Sequence, residues 1–394
     1  MAYDFDTVTD RRGTYSSKWD VAEGELPMTT ADMDFVTCPE IVSALRERLD
    51  RGIFGYTDVP DAWREAAVSW WDRRYGLKME KDWLIFATGV IPTVSSTVRK
   101  LTTPGEKVLV MTPVYNIFFN SILNNGRVPE VCPLKYDGRG YDIDWDRTEK
   151  SLDDPQVSLV ILCNPHNPVG KVWDAETLAR LARLCRERDI PVLSDEIHCD
   201  LTDPGVKYTP FLSVSEDSRR VGIMAMAPTK TFGIPGLQTS ACAAADPKLR
   251  HKVWRQLNTD ECGEPGAFAV DAALAAWNRG EAWLEEAREK LCRNKARVRG
   301  FIAERLGEIR VPYGPATYLL WLDVSAVSKD ERKLADFLRK ETGLCLTPGS
   351  VYGPGGEGFL RMNTAYPESQ LEDGLRRLEK GVRAFKARGE SRKE

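Results

Sequence analysis

Histidine is scarce: the 394 residues hold three, His166, His198 and His251, and none stands at metal-ligand spacing from another. No metal is therefore expected. The nine cysteines scatter from Cys38 to Cys345 without a C-x-x-C pair, which argues against both a zinc site and a disulfide framework. Most of them read as small buried apolar residues. No apolar run approaches the ~20 residues that a bilayer-spanning helix requires, so no membrane insertion is expected. The opening MAYDFDTVTDRR has no apolar segment behind a basic one, which fits neither a secretory signal nor a transit peptide and makes the cytoplasm the expected compartment. Internal repeats and low-complexity linkers are missing too. Neither sign of charge dominates: the net charge is -4 with 29% charged residues interspersed, which argues against non-specific nucleic-acid binding. A small molecule is the expected partner.

What the chain does have is length and alternation. A chain of 394 residues exceeds what one hydrophobic core usually serves, so two lobes are expected. From about residue 83 short apolar runs alternate with amphipathic segments, the pattern of a mostly parallel sheet covered by helices, an α/β fold. The runs WLIFAT, KVLVMT, SLVILC, IPVLS and VGIMAMA lack alternation, as strands buried on both faces do. Between SLVILC and IPVLS, Asp174 is placed to cap a helix whose Leu178, Leu181, Ala182, Leu184 and Cys185 share one face. After about residue 275 a long charged amphipathic helix and short strands around YLLWLDV and GLCLTPG suggest a second, α+β unit. The expected division is a large α/β domain over residues 46–275 and a smaller α+β domain built from both termini, 1–45 and 276–394. The end, KARGESRKE, reads as a frayed tail.

Ligands of open α/β sheets sit beyond the carboxyl ends of the strands. WLIFAT is followed by Gly89-Val90-Ile91-Pro92 and a helix, a turn whose free backbone N–H groups suit a phosphate, though many such turns carry glycine for steric reasons alone. SLVILC is followed by Asn164-Pro165-His166-Asn167-Pro168, where the prolines bias both asparagines to extended geometry; this is either an ordinary turn or a stiff loop that aims an amide. After IPVLS come Asp195 and Glu196, two acids entering a cleft in need of a cationic partner, or else a capping pair. After VGIMAMA comes Lys230 between Thr229 and Thr231, where desolvation lowers an amine's pKa and makes it nucleophilic. A phosphate turn, an amide, a carboxylate and an amine at four strand ends are hard to attribute to structure alone.

With GVIP, TPVYNIF, NPHNPVG, SDEIH, APTKTFGIPGL and FLRMN in this order, the sequence resembles the fold type I pyridoxal-phosphate enzymes, the aspartate aminotransferase superfamily, over nearly its whole length. ADMDF and FGYTD add a likeness to the cystathionine β-lyase branch of the MalY and PatB type. The resemblance implies a mostly parallel sheet of the seven-stranded type with a smaller α+β domain, and pyridoxal 5'-phosphate as cofactor. It implies that Lys230 holds the cofactor as a Schiff base, that Asp195 keeps the pyridine nitrogen protonated, and that Tyr115, the third residue of the catalytic set, stacks on the ring. Asn167 matches the amide that bonds the phenolic oxygen beside the substrate. Gly89, the backbone of Val90 and Ile91, and the Thr229 hydroxyl match phosphate ligands. His198 stands where many aminotransferases have tyrosine. Tyr56 matches the tyrosine given to the phosphate of the neighbouring subunit, which implies a homodimer. Arg361 matches the arginine that clamps a substrate α-carboxylate, a task suited to a planar fork of donors.

Two departures bear on the reaction. Many aminotransferases place a phosphate-binding arginine soon after the lysine, where this chain reads Gly236-Leu237-Gln238, and Met28-Thr29-Thr30 precedes ADMDF where the branch usually has tryptophan. The first departure points toward a carbon–sulfur lyase that releases pyruvate and ammonia from cystathionine or a related cysteine conjugate. An aminotransferase is the rival reaction, and a regulatory, protein-binding member of the same branch is the rival of another class.

Overall fold

The computed structural model describes residues 3–390. The five apolar runs, joined by Ser240–Ala243 and Val128–Pro133, form a seven-stranded sheet: each run is buried nearly along its length, and all but the edge strand Leu84–Ala87 find backbone partners on both sides. In spatial order the strands are Leu84–Ala87, Ser240–Ala243, Gly222–Met226, Val192–Asp195, Val157–Cys163, Lys107–Thr112 and Val128–Pro133. Ser240–Ala243 runs antiparallel to both of its neighbours, and every other pairing is parallel. The carboxyl ends of Val157–Cys163, Val192–Asp195 and Gly222–Met226 therefore lie side by side at one edge of the layer.

Helices cover the faces of this sheet as the sequence specifies. Asp174 accepts the Thr177 N–H at 2.7 Å and starts the helix Ala175–Arg186, which buries the five apolar residues of its inner face. On the N-terminal side the helix Asp61–Tyr75 buries Trp63, Trp70 and Trp71 against the same core.

A second layer is antiparallel, with Leu319–Asp323 beside Phe359–Asn363 and Thr347–Pro348 on the latter's other edge. Leu26–Pro27 pairs in parallel with Leu344–Cys345, and Met28 packs into the apolar cluster of this layer, so the N-terminal segment is held by the C-terminal third of the chain. Among the described residues no helix is long and apolar enough to cross a membrane.

The expected frayed tail is corrected over residues 386–390, which continue the helix Glu368–Glu390; residues 391–394 lie outside the described residues. Leu371, Leu375, Leu378 and Val382 keep helical spacing on a buried face, and Phe385 packs against Phe337. Two of the charges that suggested fraying are paired, Lys386 with Glu308 and Arg388 with Glu341 at 2.9 Å.

One buried carboxylate ties the helical cover to the sheet ends. Asp200 accepts hydrogen bonds from Trp70 Nε1 at 3.2 Å, Arg74 Nε at 3.1 Å, the Tyr75 hydroxyl and the Thr231 hydroxyl at 2.9 Å. Breaking a buried charge pair by removing one partner typically costs about 3–5 kcal/mol. Asp200→Ala is expected to lower the free energy of unfolding, measured by urea denaturation, by an amount of that order; an unchanged free energy would show that the four donors are satisfied elsewhere.

Candidate active site

A cavity of about 290 Å³ opens at the carboxyl ends of the strands. Lys230 enters it from the short helix Pro228–Thr231 after strand Gly222–Met226, Asp195 from the end of Val192–Asp195, and Asn167 from the loop after Val157–Cys163. Gly89, Val90, Ile91, Tyr115, His198 and Thr229 complete the set of expected residues that line it.

Asp195 is 4% exposed and accepts the Ile197 N–H at 3.1 Å. Burial raises its carboxyl pKa to about 7, against the smaller opposing pull of that N–H and of Lys230. A cation placed at this carboxylate is thus strongly favoured. Burial also lowers the Lys230 ammonium; Asp32 and Asp195 oppose the shift, and Arg361 adds to it. The Lys230 amine donates to the Ala31 carbonyl. His198 is driven down to about 3 by burial and by the charges of Lys230 and Arg361, so its ring is neutral, and its buried Nδ1 has no hydrogen-bond partner.

The helix Val90–Leu101, which begins after Gly89, brings its first turn to the cavity wall. Its first N–H groups have no acceptor within the helix, and its first turn carries no acid to compete for an anion. A Cβ at Gly89 would stand 3.1 Å from Pro92 Cδ, so the tight turn favours glycine.

Two expected residues stand apart from the cavity wall, and one acid faces elsewhere. Arg361 is buried just behind the wall, its Nη1 donating to Asn167 Oδ1 at 3.2 Å and its Nη2 to the Thr29 carbonyl at 2.8 Å. Tyr56 is fully exposed and does not line the cavity. Glu196, expected to enter the cleft with Asp195, instead turns into the core. It accepts from the Ser194 hydroxyl at 2.7 Å, the Phe211 N–H at 2.9 Å and the Tyr208 hydroxyl. The physical reason is alternation, since neighbouring side chains of an extended segment point to opposite sides.

The cavity also contains residues not predicted from the sequence. Thr88 and Cys163 close two of the strand runs, and Ile197 lies inside SDEIH, so strand-end position was an available signal for all three. Ala31 opens the ADMDF motif, but its contact with Lys230 had no signal, because a backbone carbonyl reaches a side chain 199 residues away.

The fold and this arrangement belong together in a known class. A model of the aminotransferase class I and II family matches residues 20–378, and the chain belongs to that family. Over 381 residues, 95% of the chain and 98% of the relative, it is 41% identical to the cystathionine beta-lyase PatB of Bacillus subtilis. Cystalysin from Treponema denticola, solved with a pyridoxal 5'-phosphate cofactor, superposes with a TM-score of 0.94 at 32% identity, covering 98% of this chain and 100% of that one. The PLP-bound C-S lyase from Staphylococcus hominis gives 0.91 at 32% identity, with 96% and 99% covered.

A carboxyl whose folded pKa is raised from 3.8 to about 7 keeps a proton that the unfolded chain has already released, so the native state loses stability as pH rises through that window. Asp195→Asn carries no charge and keeps an oxygen for the Ile197 N–H. Without cofactor, this variant is expected to be more stable than the parent at pH 8, by on the order of 4 kcal/mol, with the gap closing near pH 4. Thermal melting at the two pH values checks it, and a pH-independent gap would refute burial as the cause.

Proposed function

We propose that the chain is a pyridoxal-phosphate-dependent carbon–sulfur β-lyase that cleaves L-cystathionine or a related cysteine S-conjugate, with one water consumed, to a thiol, pyruvate and ammonia. One observation carries the reading: a desolvated amine and a buried carboxylate of raised pKa share one cavity, in a chain 41% identical to PatB over 95% of its length.

The residues fit that cofactor. Asp195, buried with no cation bonded to it, suits a protonated ring nitrogen, and the start of helix Val90–Leu101, with the Thr229 hydroxyl on the cavity wall, suits a phosphate. Asn167 and the unpartnered Nδ1 of His198 are polar groups for the remaining ring substituents, and Tyr115 offers an aromatic face. Gln238 lines the cavity without supplying a positive charge, which leaves the phosphate to backbone donors and hydroxyls. Bound there, pyridoxal phosphate supplies an aldehyde that captures an amine and a ring that accepts an electron pair from the substrate's α carbon.

The chain's own part follows from its environments. Asp195 holds the ring-nitrogen proton in place. With the cofactor bound, Lys230 Nζ would be the anchoring nucleophile, kept reactive by desolvation, and would serve as the base for the substrate's α proton. Arg361 offers its planar fork to the α-carboxylate, and its link to Asn167 couples that grip to the cofactor side of the cavity.

The proposal includes a homodimer in which Tyr56 completes the partner's phosphate site. Ile53, Phe54 and Tyr56 are exposed on the segment before helix Asp61–Tyr75, which supports an interface there. It further includes the division into a large domain over 46–275 and a smaller one from both termini, and a cytoplasmic location.

The test is pyruvate release from L-cystathionine and L-cystine by the purified protein with added pyridoxal phosphate. Lys230→Ala is expected to lower the rate by more than about a thousandfold. Cofactor accumulating in its amine form on addition of an amino acid alone, without pyruvate, would replace the lyase reading with a transaminase.

A further inference from the structure

The two cations of the candidate site are both held by one strip of N-terminal backbone. Arg361 Nη2 donates to the Thr29 carbonyl at 2.8 Å, and Lys230 Nζ donates to the Ala31 carbonyl two residues on. From the strand that carries Arg361, Asn363 Nδ2 donates to the carbonyls of Thr30 at 2.7 Å and Asp32 at 2.8 Å. The strip Thr29–Asp32 has no strand of its own, so its position depends on what grips it beyond the cavity.

That grip is a buried charge cluster centred on Asp34. Asp34 is 5% exposed and accepts from Lys18 Nζ at 2.5 Å, Arg11 Nη1 at 2.7 Å and Trp19 Nε1 at 2.8 Å. The same two cations reach along the strip. Lys18 Nζ donates to the Asp32 carbonyl at 2.8 Å, while Arg11 donates to the Met33 carbonyl at 3.1 Å and the Asp32 carboxylate at 2.5 Å. Lys18 is fully buried and sits 4.1 Å from the centre of the Tyr366 ring. Three donors from residues 11–19 thus fix one side of the strip, and the site's arginine and lysine meet its other side.

We propose that Asp34 is a positioning residue: through the clasp with Arg11 and Lys18 it fixes the Thr29 and Ala31 carbonyls, and so aims Arg361 at the substrate carboxylate. The inference rests on the proposed roles of Arg361 and Lys230. Asp34→Asn removes the charge that draws in both cations while keeping an acceptor for Trp19. Displacing a binding group by about 1 Å commonly costs up to about a hundredfold. The loss should therefore appear in carboxylate binding before it appears in binding of an amine as such.

The experiment uses the enzyme loaded with pyridoxal phosphate and reads cofactor absorbance while titrating L-alanine, which has an amine and an α-carboxylate but no leaving group, and in parallel ethylamine, which lacks the carboxylate. Asp34→Asn is expected to weaken L-alanine about tenfold to a hundredfold and to leave ethylamine within about twofold. Arg11→Met, at a partly exposed partner, should reproduce that selective loss if the first variant fails to fold, and Lys18→Arg should retain more affinity than Lys18→Met. Equal weakening of both ligands, or unchanged L-alanine binding, would overturn the positioning role. A parent enzyme that holds the cofactor yet shows no response to L-alanine would overturn the proposed amino-acid site and this inference with it.

Discussion

Desolvation at the ends of the parallel strands is the constraint on which the rest depends. Asp195 and Lys230 end or follow strands whose flanks are covered by helices, and the cover that builds the core also removes water from both groups. A carboxylate deprived of water seeks a cation, and an ammonium deprived of water gives up its proton. The reactivity of the site is therefore a by-product of burying the sheet, and Asp200 is where the two meet: one carboxylate satisfies the helix Asp61–Tyr75 on one side and Thr231, next to the lysine, on the other.

The cavity has walls of different kinds. Its floor is rigid, being made of strand ends and of a helix start whose amides are fixed by the helix itself. Its roof is irregular backbone, the Thr29–Asp32 strip, located by side chains that come from the chain's beginning and from the antiparallel layer. The floor is built from the motifs that carry the family resemblance, and the roof adjoins the segment in which this sequence departs from the branch pattern, at Met28-Thr29-Thr30. Met28 itself is buried in the apolar cluster of the antiparallel layer, Thr29 is half-buried and Thr30 exposed, and Ala31 is the residue of the strip that lines the cavity.

The floor was legible in the sequence and the roof was not. Strands buried on both faces write themselves as unbroken apolar runs, and whatever polar residue follows such a run stands at the ligand edge; Asp195, Asn167, Lys230 and the Gly89 turn all declare themselves this way. Glu196 was misplaced because adjacency in sequence says nothing about which side of an extended backbone is buried. Residues 386–390 were misjudged because a charge-rich end resembles a frayed one until the partners of those charges are known. The carbonyls of Thr29 and Ala31 leave no trace at all, since every residue has a carbonyl and their donors lie hundreds of positions away.

The parallel pairing of Leu26–Pro27 with Leu344–Cys345 has a consequence for synthesis. The earliest strand to leave the ribosome must wait, unpartnered, until nearly the whole polypeptide has followed it. Every strand of the seven-stranded sheet lies before residue 244, although part of its helical cover, such as Pro247–Thr259, comes later. The partners that hold the Thr29–Asp32 strip, Arg361 and Asn363 among them, are made after every strand of the large sheet, so a chain cut before them lacks what locates the roof.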